Sequence, residues 1–287
     1  MSPRKRKAST ILLSLLALGF GEFRHARAFS SPQAAPAAVT VQEPQLSEEE
    51  MRNFLLTARV VKDKFASKGI TGVHRLTLSN GAITHDAAFQ SIDETKTRMD
   101  FGDGRTEYNF RDSYKYDIAA YELAKLLGLG DMMPVTVQRK CLDKNGALSW
   151  WLPVKMDEGQ RLSKKITPPD PEAWNKQMYK MRVFTQLVFD TDRNLGNVLI
   201  SEDWHLWMID FSRAFRLYHE LENAKNLVRC DRQLLEKLRQ LDREELKSKT
   251  MPYLKKPEID GVMARRDVIV KFFEKLVKDK GEAQVLY

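Results

Sequence analysis

The chain has 287 residues, 43% of them hydrophobic and 30% charged, with a formal net charge of +8. That length suits one large domain or two modest ones, and the composition is that of a soluble globular protein. Two cysteines without C-x-x-C or Cys/His spacing and five histidines without H-E-x-x-H argue against a zinc site or a metalloprotease, and there is no G-x-S-x-G.

Residues 1–28 differ from the rest. Arg4-Lys5-Arg6-Lys7 is followed by the apolar run Ile11 to Phe20 and then Ala26-Arg27-Ala28, which predicts an export signal. Ten apolar residues are too few for a stable membrane anchor. Six Lys/Arg and one acid leave with this segment, taking the net charge from +8 to +3. With no arginine-rich stripe interleaved with aromatics, nucleic acid is not an expected partner. In an exported chain Cys141 and Cys230 can either pair or remain buried thiols.

Residues 29–46, rich in Ala, Pro, Ser and Gln, read as a flexible linker. Ser47-Glu48-Glu49-Glu50 forms a capping box, so a helix is expected with Met51, Phe54, Leu55 and Ala58 on one face. Two extended runs at 72–78 and 82–92, joined through Ser79-Asn80-Gly81, predict a hairpin. After a polar stretch with Gly102 and Gly104, a helix is expected from Asp112 or Ser113 to Leu127, stopped by Gly128. Strands follow at 134–139 and 148–154 around a turn at Asp143-Lys144-Asn145-Gly146. Helices are expected at 172–189 and, two or three of them, within 218–280, where Leu234, Leu235, Leu238 and Leu241 mark an apolar face. Strands first and helices after predict an α+β chain of two lobes, 47–154 and 155–287.

The chemistry concentrates in Asp190-Thr191-Asp192-Arg193-Asn194-Leu195-Gly196-Asn197 and the residues after it. Val198–Ile200 and His205–Ile209 predict a hairpin, and pairing Leu199 with Met208 puts Asn197 opposite Asp210. An amide oxygen and a carboxylate so placed suit a hard cation, Mg²⁺ or Mn²⁺, that also takes phosphate oxygens. Asp192, five residues before Asn197, is then positioned to accept a hydroxyl proton. Asp, Asn five later and Asp after a hairpin is the order of the protein-kinase template. The bland alternative is that these residues cap a helix and close a loop.

On these residues the chain resembles the kinase-like superfamily, and within it the atypical secretory-pathway kinases related to the Golgi casein kinase, together with uncharacterised bacterial relatives. Asp192-Arg193-Asn194 is similar to their D-R-H/N catalytic loop. Ile209-Asp210-Phe211-Ser212-Arg213-Ala214-Phe215 is similar to their aliphatic-D-x-x-R-x-F metal segment. Asp117 to Gly128 resembles an E-I-A-A-F-x-L-D-R-x-L helix, and Met133 to Arg139 a V-P-P-x-V-x-R strand. The resemblance runs from about residue 87 to 216.

The resemblance implies a two-lobed kinase-like fold that binds ATP with Mg²⁺ or Mn²⁺ and transfers its γ-phosphoryl to a hydroxyl of a protein, sugar or lipid. Asp192 is then the base, Asn197 and Asp210 the metal ligands, and Asp117, in place of the family glutamate, an acid near the phosphates. The family's A-x-F-K lysine is replaced, because Ala87-Ala88-Phe89-Gln90 ends in a neutral amide, which supplies no positive charge. Lys96, expected in the following loop, is the other candidate for that contact, with a solvated surface lysine as its alternative. No G-x-G-x-x-G is present, and Gly69-Ile70-Thr71-Gly72 is either a phosphate cover or a plain turn. Gln90 also leaves room for a different class, a non-catalytic module that binds nucleotide or a protein partner. Arg213 is expected either to brace the loop through Asp192 or Asp190 or to sit on the surface.

Overall fold

The computed structural model describes residues 46–65, 72–102 and 104–287; the expected export signal, the linker up to residue 45 and Gly69-Ile70-Thr71 lie outside the described residues. Helix α1 (Glu48–Thr57) opens on the expected capping box, with Ser47 Oγ accepting from Glu50 N–H and Glu50 Oε2 accepting from Ser47 N–H. Then come β1 (Arg59–Phe65), β2 (His74–Ser79), β3 (Thr84–Gln90), β4 (Asp93–Asp100), β5 (Thr106–Ser113), α2 (Tyr114–Leu126), β6 (Thr136–Cys141) and β7 (Lys144–Trp150). The second half holds β8 (Met156–Asp157), α3 (Glu158–Ser163), α4 (Pro171–Val188), β9 (Val198–Ile200), β10 (Leu206–Met208), α5 (Arg232–Gln240), α6 (Arg243–Thr250), α7 (Lys256–Lys280) and α8 (Glu282–Val285).

Five strands form one antiparallel sheet in the order β1-β2-β3-β7-β6. The β2–β3 hairpin turns where the sequence puts Asn-Gly: Asn80 Oδ1 accepts from Ala82 and Ile83 N–H, and Gly81 takes φ +93°. The next turn falls earlier than expected. Leu142 and Asp143, both left-handed at φ 49° and 61°, make a two-residue loop, so Gly146 lies inside β7. A Cβ at Gly146 would overlap the Gln90 carbonyl oxygen and the Phe89 ring. This glycine serves a close approach between neighbouring strands and not a turn.

The hairpin β4–β5 forms a two-stranded sheet of its own, and no strand is predicted there. Its residues are almost all polar and β4 is exposed along nearly its whole length, so the period-2 signal that marks a half-buried strand is missing. Within β5, Asn109 takes the left-handed conformation (φ 53°) and interrupts the alternation of faces.

Helix α2 begins where the sequence predicts, capped by Ser113 Oγ on Lys115 N–H, and buries Tyr116, Ala119, Ala120 and Leu123 on one face. It is tied to the C-terminal helices: Glu258 of α7, 2% exposed, accepts from Arg111 Nη1 (3.0 Å) and Tyr116 Oη (3.2 Å). Helix α4 starts on Asp170 with Pro171 at its first position and ends with Phe189 left-handed. Helix α5 buries Leu234, Leu235 and Leu238 as its spacing predicts, each contributing about 1.5–3 kcal/mol. Cys141 and Cys230 are both free and buried.

Candidate active site

The hairpin β9–β10 pairs with β8 to make a third small sheet. Its register differs by one from the expected one: Trp207 faces Leu199 and Met208 faces Val198. Asn197 therefore stands against Ile209, whose N–H donates to the Asn197 carbonyl (3.2 Å), and not against Asp210. A one-residue slip turns side chains to opposite faces. Here the backbone compensates, since Asp210 itself is left-handed (φ 57°) and leaves the strand direction.

One guanidinium holds the two sides together. Arg193 pairs with Asp190 (2.6 Å) and donates to the carbonyls of Asn197 (2.9 Å), Ile209 (2.8 Å) and Asp210 (3.0 Å), while lying 4.1 Å over the Phe211 ring. Asp190 is 2% exposed and its Oδ1 also accepts from Asp192 N–H. Asn194 and Asn197 both donate their side-chain amides to the Asp192 carbonyl at 3.2 Å. With its Nδ2 so used, Asn197 presents Oδ1 as the atom free to ligate. The Asp192 side chain is 44% exposed, as a proton acceptor for an incoming hydroxyl needs to be.

The other wall comes from α2. Asp117, buried, accepts from Phe211 N–H through Oδ1 (2.6 Å), and its Oδ2 has no partner. Burial first, then the Asp210 charge, raises its pKa well above the usual carboxylate range. Asp210 keeps part of its surface open to solvent while its carboxyl group is enclosed, and burial raises its pKa too, against the Ser212 hydrogen bond and the Arg193 charge. Asp117 and Asp210 are thus brought together, with Asn197 and Asp192 on the adjoining loop.

A third buried acid, Asp112, belongs to this wall and is not among the expected site residues. It is 5% exposed, its Oδ1 has no partner, and burial raises its pKa while Ser212 and Arg213 counter. In the sequence it reads as a helix start; its neighbours come from a hairpin that the sequence does not announce.

The phosphate-contact candidates fare differently. Gln90 closes β3, 8% exposed, with Nε2 unpartnered. Lys96 is not in a loop: it lies in β4, pairs with Glu94 (2.9 Å) and is 45% exposed. Nothing joins it to Gln90 or Asp117. Arg213 pairs with Glu107 (2.7 Å) and stands 3.7 Å from Asp192; Asp190 belongs to Arg193 instead. Glu122, one helix face away from Asp117, pairs with Arg52 and Lys125.

Among the described residues no three His, Cys, Asp or Glu side chains stand close enough to hold a cation alone. The donor set nevertheless fits one. Two enclosed carboxylates, one of them with an unpartnered oxygen, and the amide oxygen of Asn197 match Mg²⁺ or Mn²⁺, which takes one or two carboxylates and fills its shell with phosphate and water.

The architecture has close counterparts. A hydra Fam20 structure with sugar superposes with a TM-score of 0.63 at 15% identity, over 83% of this chain and 91% of that one. The Golgi casein kinase gives 0.61 at 13% identity, and its structure with Mn/ADP bound 0.61 at 12%, each over 83% of this chain and 78% of that one. The fold is kinase-like. No protein-family model and no curated protein sequence matches the chain, so at these identities the likeness lies in the fold. Within this fold the left-handed Asp210, the clasped loop 190–197 and the acid on α2 occupy one neighbourhood, as described above.

Proposed function

We propose that the chain is a divalent-cation-dependent phosphotransferase that moves the γ-phosphoryl of ATP to a hydroxyl of a protein, sugar or lipid. Residues 47–154 and 155–287 act as its two lobes. The observation that carries this reading is the pairing of Asp117 with Asp210: two buried acids, both with raised pKa, gain only when a cation or protons neutralise them. A bound Mg²⁺ or Mn²⁺ supplies charge neutralisation at the phosphates. Asp210 and Asn197 Oδ1 hold it, Asp117 balances its charge from α2, and Asp192 Oδ accepts the acceptor's hydroxyl proton. Gln90 offers its unpartnered N–H to a phosphate oxygen, where a lysine would add charge. The kinase-like neighbour with Mn/ADP bound supports the same cofactors.

The basic, apolar and Ala-x-Ala pattern of residues 1–28 supports an exported enzyme. Among the described residues no helix is long and apolar enough to cross a membrane.

The test is the melting-temperature shift with ATP, with and without Mg²⁺ or Mn²⁺, in the parent and in Asp210→Asn, which retains the left-handed backbone. A metal-dependent rise is expected in the parent only. No metal-dependent rise in the parent sinks the proposal. Radiolabelled transfer to an acceptor should then fall by about 10²–10³-fold in Asp210→Asn. Asp192→Asn with undiminished transfer would remove Asp192 from its role. The neutral Gln90 favours a second reading, a module that binds nucleotide without transfer, and nucleotide binding with no transfer to any acceptor class would establish it.

A further inference from the structure

Next to Asp192, on the segment that follows Asp210, two arginines share one carboxylate. Glu107 of β5 pairs with Arg213 (2.7 Å) and Arg216 (2.5 Å), whose side chains are 10% and 7% exposed. Three buried donors remain without partners: Arg213 Nε, Arg216 Nε and Arg216 Nη1. Arg216 Nη2 also reaches Thr191 Oγ1 (3.4 Å), and the Phe101 and Phe110 rings cover Arg213 at 5.0 and 5.2 Å.

The geometry is mismatched here. Two guanidinium groups face the Glu107 carboxylate and, 3.7 Å from Arg213, the half-exposed Asp192, yet three of their N–H groups stay without an acceptor. A buried donor without a partner is destabilising, more so when it is charged. A phosphate brings about −1.5 to −2 charges and three acceptor oxygens, and the arginine fork matches it bidentately.

The backbone that carries the arginines is held independently of Glu107. Thr191 N–H and Oγ1 donate to the Arg213 carbonyl (3.4 and 3.1 Å), and Phe215 N–H donates to Val188 (2.6 Å). The buried Arg265 donates to the Arg216 carbonyl (2.9 Å). Glu107, by contrast, arrives on a two-stranded hairpin outside the main sheet, turned inward beside the left-handed Asn109. The backbone of both arginines is fixed by the C-terminal half, whereas Glu107 and the covering rings of Phe101 and Phe110 come from the hairpin.

We propose that Arg213 and Arg216 form a phosphate-binding site, separate from the cation site, that the chain's own Glu107 fills in this structure. Phosphate or a phosphate monoester displaces Glu107 and releases the β4–β5 hairpin. The inference does not rest on phosphoryl transfer.

The test titrates inorganic phosphate into the full chain, its Glu107→Gln variant and Glu107→Gln/Arg216→Met, following melting temperature and heat of binding. With the competing carboxylate gone, Glu107→Gln should bind phosphate about tenfold more tightly than the parent. The double variant should lose that binding. Glu107→Gln/Arg216→Lys, which keeps the charge and loses the fork, should bind more weakly than Glu107→Gln and serves where the methionine variant fails to fold. No phosphate-dependent stabilisation of Glu107→Gln overturns the proposal, as does binding that survives both Arg216 changes. A phosphoserine peptide of otherwise neutral sequence separates sources. Tighter binding than inorganic phosphate assigns the site to a phosphorylated chain, and weaker binding assigns it to the free ion. The ATP·Mn²⁺ shift, measured on the same samples, reports on the cation site by itself.

Discussion

The loop from Asp190 to Asn197 and the wall formed by Asp112, Asp117 and Asp210 adjoin, yet they are built in opposite ways. In the loop the guanidinium of Arg193 and the carboxylate of Asp190 are answered by each other and by backbone groups. In the wall, Asp112 Oδ1 and Asp117 Oδ2 have no partner, and all three acids are pushed toward the protonated form by burial. A saturated network rigidifies, and an unsaturated one waits for a counter-charge. The loop is thus saturated, and the wall carries the unanswered negative charge that the proposed cation would neutralise.

The strongest challenge to this division is Arg193→Met. It leaves Asp190 as an unpaired buried charge, and the expected loss is about 3–5 kcal/mol of stability, read from urea unfolding. A loss under about 1 kcal/mol, the range of a surface pair, would mean that the loop is not held as described.

The wall should show the reverse. An acid whose folded-state pKa is raised holds its proton longer in the folded chain, so stability is fullest below the unfolded value of about 3.9 and declines as pH rises toward the folded values. Without divalent cations, stability should therefore fall from acid to neutral pH on account of these groups. Asp112→Asn should flatten that slope and raise the neutral-pH melting temperature. A lowered melting temperature would place Asp112 among the structural acids instead.

Two smaller changes sharpen the picture on the sheet side. Gly146→Ala pushes a methyl group into the Gln90 carbonyl and the Phe89 ring, with an expected cost of about 1–3 kcal/mol and weaker nucleotide binding as the end of β3 shifts. Lys96→Ala removes an exposed pair with Glu94 and should change stability by no more than about 1 kcal/mol. Loss of ATP binding in that variant would return Lys96 to the phosphate contact.

Much of this was legible in the sequence where a local rule acts alone. The Ser47 capping box, the Asn80-Gly81 turn and the Ser113 cap lie where their chemistry puts them. The β9–β10 hairpin is legible as an element but not in register, because three-residue strands offer too few alternations to separate two pairings. Gly146 carries the signature of a turn and fills the need of a strand crossing, which only the neighbouring chain reveals. Asp112 and Glu107 were invisible as site residues. Both sit on a polar hairpin, and their meaning comes from Ser212, Arg213 and Arg216, a hundred residues downstream.

The left-handed backbone at Asp210 has a consequence for how such a protein changes over generations. Gly, Asn and Asp adopt φ near +57° at least cost, so Asn and Gly are the replacements at 210 that strain the backbone least. Neither of the other two carries a charge, and each removes a destabilising buried acid. Either replacement is therefore expected to give a sturdier protein that lacks the carboxylate the proposed cation site needs.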